Sequence, residues 1–128
     1  MPTILIVEDD SSILENTREF LELEGFEVIT ATDGEKGLVQ IFKRVPDLII
    51  CDLLMPEIDG LELLRKLGKH PEHKTIPLIF FSAKAENKDI RIGLEAGAAG
   101  YVTKPFEPEE LLLTIERCLS ERRYSKKN

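Results

Sequence analysis

Short apolar runs alternate along the chain with stretches in which apolar residues recur every three or four positions. The short runs predict β-strands, and the periodic stretches predict amphipathic helices. Three of the runs (ILIV, LIIC and LIFF) are apolar at every position, which is typical of strands covered on both faces. We therefore predict five strands, at residues 3–7, 26–30, 48–51, 77–81 and 99–102, each followed by a helix.

Residues typical of helix ends support these boundaries. Asp10 and Asp33 precede the first two helical stretches, Gly25 follows the first, and Pro108 opens the last. The fourth stretch, from about residue 85 to 96, is weakly patterned. Five strand–helix units in succession predict an α/β fold, a doubly wound parallel sheet with helices on both faces. We expect the flavodoxin-like strand order 2-1-3-4-5.

Length, charge and cysteine usage narrow the class of protein. A chain of 128 residues suits one domain, which we place at residues 1–121, with a charged tail or the start of a linker at 122–128. The net charge of −7 disfavours direct nucleic-acid binding and contact with a membrane surface. Cys51 and Cys118 lack metal or redox spacing, so we interpret them as buried thiols in a reducing compartment. No signal peptide or membrane-spanning run is evident, and we expect a cytoplasmic protein.

Polar residues gather where the predicted strands end. Glu8 and Asp9 follow the first strand, Asp52 the third and Ser82 the fourth, while Lys104 comes two residues after the fifth. The carboxyl ends of parallel strands meet at one edge of a sheet, and ligands bind there at the switch point, which in this order lies between strands one and three. We expect these side chains to converge.

The residue types indicate what such a cluster binds. Three converging carboxylates repel one another unless a cation neutralises them, and oxygen ligands in an open site favour Mg²⁺. A lysine and a hydroxyl beside the ion would be needless for storing metal but suit an anion with several oxygens. The combination predicts phosphoryl transfer, in which catalysis consists of positioning and charge neutralisation.

Each residue taken alone has a simpler interpretation. Ser82 would cap the fourth helix, Lys104 would be a solvated loop lysine, and Tyr101 would be a strand aromatic packed on a helix. His70 and His73 lie in a charged loop, and we interpret them as solvated rather than as metal ligands. A shared site is nevertheless favoured over these separate interpretations, because four strand ends each deliver a matched group to the same edge of the sheet.

The segments ILIVEDD, IICDLLMPEIDG, FFSA and GYVTKPF resemble, in order and spacing, the signature blocks of response-regulator receiver domains. The resemblance extends from Ile4 to the last helix. It implies that a histidine kinase or a histidine phosphotransfer protein phosphorylates Asp52 in a Mg²⁺-dependent reaction. The phosphorylated form would then switch conformation to control a downstream effector or output domain. Such a protein is not an enzyme, since it promotes only its own phosphorylation and slow dephosphorylation.

The resemblance also implies a set of metal ligands. Asp9 would bind Mg²⁺ directly and Glu8 would bind it through water. Asp52 and the backbone carbonyl of Leu54 would complete the protein's contribution.

Three further residues resemble the family's functional positions. Ser82 and Lys104 stand where receivers contact the phosphoryl group, and Lys104-Pro105 resembles the family's cis peptide. Tyr101 occupies the position of the switch aromatic. The resemblance allows a dimer that forms on phosphorylation, although the segment 98–100 (AAG) lacks the acidic pair that receivers of the winged-helix type often carry.

Two alternatives belong to other classes of protein. A phosphatase of the haloacid-dehalogenase type also uses an aspartyl nucleophile and Mg²⁺, but it normally has a second acid where this chain has Leu54. A flavodoxin needs a phosphate loop rich in hydroxyls and glycine, whereas Glu8, Asp9 and Asp10 would repel a flavin phosphate.

Overall fold

The computed structural model describes residues 1–84 and 86–126, with side chains of the last helix described as far as Arg122. All five predicted strands are present, each within one residue of its predicted bounds. Strands and helices alternate in the order β1 (Thr3–Val7), α1 (Ser11–Leu23), β2 (Glu27–Ala31), α2 (Gly34–Lys43), β3 (Leu48–Asp52), α3 (Gly60–Leu67), β4 (Leu78–Ser82), α4 (Asn87–Glu95), β5 (Gly100–Thr103) and α5 (Pro108–Lys126).

The five strands form one parallel sheet in the order β2-β1-β3-β4-β5, so the predicted fold class and strand order are confirmed. Every residue of β1, β3 and β4 is buried, because helices cover both faces of the sheet. Alternate residues of each strand enter different hydrophobic clusters. In β4, Leu78 and Phe80 join the cluster that contains Leu63 of α3, while Ile79 and Phe81 join the one that contains Leu111 of α5.

Helix ends follow the predicted signals. The Asp10 carboxylate accepts hydrogen bonds from the amides of Ser12 (2.9 Å) and Ile13 (3.1 Å), which satisfies two donors that the first turn of α1 leaves free. Gly25 has a φ of 96°, a left-handed conformation that glycine adopts without steric cost at the end of a helix. The chain is therefore turned sharply into β2.

Helix α5 is longer than the sequence suggested. Residues 122–126, predicted as the start of a charged tail, continue this helix, while residues 127 and 128 lie outside the described chain. The Arg122 guanidinium donates to the carbonyl oxygens of Asp47 (2.9 Å) and Pro46 (3.2 Å), and these contacts fix the helix to the loop before β3. The domain boundary at residue 121 stays a prediction.

The loop before β4 differs from its predicted state. His73 is only 3% exposed, and its ring centroid lies 4.9 Å from that of Phe42, so the prediction of a solvated side chain is wrong for this residue. A succession of turns, including a hydrogen bond from the His73 amide to the His70 carbonyl (3.0 Å), folds the loop against α2. His70 is exposed, as predicted.

The two cysteines and the hydropathy of the helices agree with the sequence analysis. Cys51 and Cys118 are both buried and free of disulfide bonds, as the sequence indicated. Burial raises the pKa of the Cys51 thiol well above its usual value. Among the described residues, no helix combines the length and the apolar character needed to cross a bilayer.

Candidate functional site

Three acidic side chains meet at the carboxyl ends of β1 and β3. These strands are neighbours, with Val7 paired to Cys51, so the residues that follow them are brought side by side. Glu8, Asp9 and Asp52 each offer a carboxylate oxygen, and the three oxygens lie within 4.8 Å of one another. Glu8 is 1% exposed and Asp52 is 6% exposed, whereas Asp9 faces solvent. The predicted convergence of the three acids is therefore present.

Glu8 is the most deeply buried of these acids. Its Oε2 accepts a hydrogen bond from the Asp10 amide at 3.0 Å. Its Oε1 forms a short ion pair with Lys104 Nζ at 2.6 Å. Burial, together with the nearby charge of Asp52, outweighs the contacts with Lys104 and Asp10 and raises the pKa of Glu8 to about 7.

Lys104 reaches the acids from the loop after β5. Its Nζ donates a hydrogen bond to Asp52 Oδ2 at 3.1 Å, and its backbone amide donates to the Ser82 carbonyl at 2.9 Å. The Lys104-Pro105 peptide is cis, as the resemblance implied. Burial disfavours the ammonium form, but the contacts with Glu8 and Asp52 outweigh it and raise the pKa of Lys104. Only 13% of this side chain is exposed, so the alternative of a solvated loop lysine is excluded.

Asp52 is held at both carboxylate oxygens. While Oδ2 accepts from Lys104, Oδ1 accepts a hydrogen bond from the Leu54 amide at 3.1 Å. The Leu54 side chain is 52% exposed beside this carboxylate. Its carbonyl oxygen stays a predicted metal ligand.

The donor set fits Mg²⁺. All of the candidate ligands are oxygens, which this hard cation prefers, and the exposed Asp9 leaves one side open to the water molecules that Mg²⁺ keeps. Among the described residues, the Lys104 ammonium contacts both Glu8 Oε1 (2.6 Å) and Asp52 Oδ2 (3.1 Å), and Asp9 adds a third carboxylate to the cluster. The site therefore carries excess negative charge when all three acids are ionised.

A second group of contacts joins Ser82 to Tyr101 through one residue. Ser82 is fully buried, and its Oγ accepts a hydrogen bond from the Lys84 amide at 3.1 Å. The Tyr101 phenol donates to the carbonyl of the same Lys84 at 2.7 Å. Burial raises the pKa of Tyr101. Ser82 does not cap α4, whose N-cap is Glu86, so the simpler interpretation of this serine is wrong.

Two features of the loop after β3 bear on the site and were not singled out from the sequence. A Cβ at Gly60 would lie 2.8 Å from the Asp52 carbonyl oxygen, so only glycine lets α3 begin this close to the phosphoacceptor candidate. Glu57 has a φ of 65°, which is uncommon for a residue other than glycine. The glycine that ends the segment PEIDG was a usable signal for the first feature, whereas the sequence offers none for the second.

An apolar cavity of about 450 Å³ opens beside Lys104, between the start of α1 and the ends of β4 and β5. Its walls are formed by α1, the end of β4 and the loop after β5. It is lined by Ile13, Asn16, Phe81, Ala83, Lys104, Pro105 and Phe106.

Comparisons with protein families and with curated proteins agree on one family for this chain. The family model of the response regulator receiver domain matches residues 4–116. The phosphate regulon transcriptional regulatory protein PhoB of Rhizobium meliloti is 38% identical over 119 residues, which cover 93% of this chain and 52% of that protein. The alkaline phosphatase synthesis transcriptional regulatory protein PhoP of Bacillus subtilis is 39% identical over 116 residues, covering 91% and 48%. The chain spans about half the length of these curated relatives.

Solved structures agree over nearly the whole chain. A response regulator from Chloroflexus aurantiacus is 41% identical and superposes with a TM-score of 0.89, covering 93% of this chain and 98% of that one. The chemotaxis protein CheY4 of Vibrio cholerae is 33% identical with a TM-score of 0.86, covering 92% and 98%.

Proposed function

Because the chain belongs to the response-regulator receiver family, we propose that Asp52 is its phosphoacceptor and that a histidine kinase or a histidine phosphotransfer protein is the donor. The observation that carries this assignment is the position of Asp52, which is buried between the Lys104 ammonium and the two acids that follow β1. The chain's membership of this family gives no support to the alternative of a haloacid-dehalogenase phosphatase.

The proposed reaction is an in-line displacement. A carboxylate oxygen of Asp52 attacks the phosphorus of phosphohistidine, an O–P bond forms, and the N–P bond breaks as the imidazole leaves with the electron pair. The ammonium of Lys104, already 3.1 Å from Asp52 Oδ2, lies where it can neutralise the incoming phosphoryl oxygens. The hydrogen bond from the Leu54 amide orients the other carboxylate oxygen.

We propose that Glu8, Asp9, Asp52 and the Leu54 carbonyl hold Mg²⁺, with Glu8 acting through water. When bound, the ion would supply positive charge that screens the carboxylates from the phosphoryl oxygens. The chain's own contribution is to keep two of these acids buried and in contact with Lys104. Removing the carboxylate of Asp9 should weaken Mg²⁺ binding at least several-fold.

The proposed switch runs through Ser82 and Tyr101. The phosphoryl group would add roughly −1.5 to −2 charges and three acceptor oxygens, and we propose that Ser82 Oγ donates a hydrogen bond to one of them. Moving a two-state equilibrium from 1:99 to 99:1 needs about 5.5 kcal/mol of differential stabilisation. Charged hydrogen bonds contribute roughly 1.5–3 kcal/mol each, so two or three new ones suffice. Any shift of Ser82 acts on Lys84, whose carbonyl holds Tyr101.

The output is proposed to be a protein partner or an output domain that reads the switched surface. The relatives PhoB and PhoP are transcriptional regulatory proteins. The net charge of −7 makes this domain itself a poor ligand for nucleic acid, so we assign no direct DNA contact to it.

We further propose a cytoplasmic location, self-catalysed phosphorylation and slow self-dephosphorylation rather than enzymatic turnover. A dimer that forms on phosphorylation stays a prediction.

The experiment is to treat the protein with a small phosphodonor and Mg²⁺ and to record its intact mass. The wild type should gain one phosphoryl group, and Asp52→Asn should gain none because the nucleophile is lost while the shape is kept. Asp59→Asn is the matched control, since this exposed residue caps α3 in the following loop and asparagine also caps. A stable phosphoryl adduct on Asp52→Asn would refute Asp52 as the phosphoacceptor. Turnover of a small phosphomonoester would instead support the phosphatase alternative.

A further inference from the structure

One contact of Lys104 is not accounted for by the acidic cluster. Its Nζ lies over the ring of Phe81, 5.4 Å from the ring centroid. Cations within about 6 Å of an aromatic centroid are attracted by the negative charge of the ring face, and the attraction is stronger when both groups are withdrawn from water. Phe81 is 2% exposed and the Lys104 side chain is 13% exposed, so both groups meet this condition.

We infer that Phe81 is a positioning residue for phosphoryl transfer, which acts by holding the Lys104 ammonium over the phosphoacceptor through its ring face. This inference rests on the proposed function of Asp52 and Lys104. It adds a requirement for an electron-rich ring at position 81, and not merely for an apolar side chain.

The backbone places the Phe81 ring next to the reacting carboxylate. In the pairing of β3 with β4, Phe81 is the register partner of Asp52, and partners in a parallel sheet project from the same face. The ring is fixed on its other side by Phe106, whose centroid lies 5.9 Å away, and Phe106 in turn packs on Phe20 of α1 at 5.3 Å. This aromatic row leaves the Phe81 ring little freedom to move.

The contact matters because an alternative position is available to the Lys104 side chain. The apolar cavity of about 450 Å³ beside Lys104 would admit a swung-out side chain. The ammonium is shared between Glu8 Oε1 at 2.6 Å and Asp52 Oδ2 at 3.1 Å, and an incoming phosphoryl group would draw it away from these carboxylates. Attraction to a ring face requires no particular N–H direction. The ammonium can therefore pass from Asp52 Oδ2 to a phosphoryl oxygen while it stays over Phe81.

The test replaces Phe81 by mono-, di- and trifluorinated phenylalanine, which keep the shape of the ring while weakening the negative charge of its face. The rate of labelling by a small phosphodonor at saturating Mg²⁺ should fall stepwise, by on the order of ten-fold for the trifluorinated ring. The same series at Phe42 of α2, whose ring contacts His70 and His73 rather than Lys104, is the control and should leave the rate unchanged. A flat series at Phe81 would overturn the inference.

A second measurement needs neither metal nor phosphodonor. Trifluorination of Phe81 should lower the denaturation midpoint of the metal-free protein, and this effect should vanish in a Lys104→Met background, where no cation faces the ring. An equal effect in both backgrounds would show that the ring acts by packing alone. If unmodified protein is not labelled at Asp52, the proposed function fails, whereas normal labelling with a flat fluorination series refutes only the role of Phe81.

Discussion

The Tyr101 phenol donates a 2.7 Å hydrogen bond to the carbonyl of Lys84, whose amide donates at 3.1 Å to Ser82 Oγ. A single residue therefore joins the Ser82 hydroxyl, at the end of β4, to the aromatic ring of Tyr101 in β5. Because both contacts use the Lys84 backbone, the side chain at position 84 is free to vary without breaking the link. We expect a displacement of Ser82 or of Tyr101 to be transmitted to the other through the Lys84 backbone.

Tyr101→Phe should separate phosphorylation from its consequences. The variant keeps the ring against Phe80 (centroids 6.2 Å apart) but leaves the Lys84 carbonyl to water, so stability should fall by about 1 kcal/mol or less. Labelling of Asp52 should stay within about two-fold of the wild type, while chemical-shift changes that beryllofluoride induces in β5 and α4 should shrink. Full-sized changes in this variant would show that the phenol is dispensable for the switch.

Lys104→Met should strengthen metal binding while it slows phosphorylation. The ammonium lies 2.6 Å from Glu8 Oε1 and 3.1 Å from Asp52 Oδ2, so it competes with Mg²⁺ for these oxygens. Calorimetry should show tighter Mg²⁺ binding by a few-fold, and the labelling rate should fall at least ten-fold, roughly the equivalent of one charged hydrogen bond. Lys69→Met, a change on an exposed loop lysine, is the control. Weaker Mg²⁺ binding in Lys104→Met would contradict the competition.

The metal-free protein should lose stability as the pH rises through neutrality. The pKa of Glu8 is about 7 in the fold and near 4.5 without it, so folding favours the protonated acid. This contribution is fully present below pH 4.5 and is lost as the pH rises through about 7, with an amplitude of about 1–3 kcal/mol. Urea denaturation with a chelator at pH 5 and pH 8 measures it.

The control for that titration is Glu8→Gln, which removes the ionisable group. The difference in unfolding free energy between the wild type and this variant should shrink or reverse between pH 5 and pH 8. Added Mg²⁺ should restore wild-type stability at pH 8, because the ion replaces the proton as the partner of the carboxylate. Parallel pH curves for the two proteins would mean that Glu8 ionises normally.

Leu54 should prolong the life of the phosphorylated state. Its side chain is 52% exposed beside Asp52, and it offers no hydrogen bond that could orient an attacking water molecule. Leu54→Asn should therefore accelerate loss of phosphate several-fold, measured as decay after removal of the donor at saturating Mg²⁺. Leu23→Asn, at an exposed position at the end of α1, controls for the change of residue type. Equal rates of phosphate loss in the wild type and Leu54→Asn would show that Leu54 does not shield the phosphoryl group from water.

The strand ends and their polar residues could be predicted because both depend on local pattern. Continuous apolar runs identify buried parallel strands, and the residues after them must then lie at one edge of the sheet. Glu8, Asp9, Asp52 and Lys104 were located in this way, and the acids do converge with the lysine.

Contacts that depend on tertiary packing could not be predicted in this way. The contact of Phe81 with Lys104 joins β4 to the loop after β5, and the burial of His73 depends on how its loop folds against Phe42. The left-handed conformation of Glu57 runs against its intrinsic preference, so the surrounding loop must impose it. None of these features has a periodicity that a sequence pattern could reveal.

The alternation of side chains along β4 has a consequence for genetics. Ile79 and Phe81 face the α5 side with Asp52, while Phe80 faces the opposite side with Tyr101. A mutational scan of this strand should therefore yield different phenotypes at neighbouring positions. Substitutions at 81 should give proteins that accept phosphate poorly, and substitutions at 80 should give proteins that are phosphorylated but fail to signal. Neighbouring codons would then fall into different complementation classes, although their residues are adjacent in the chain.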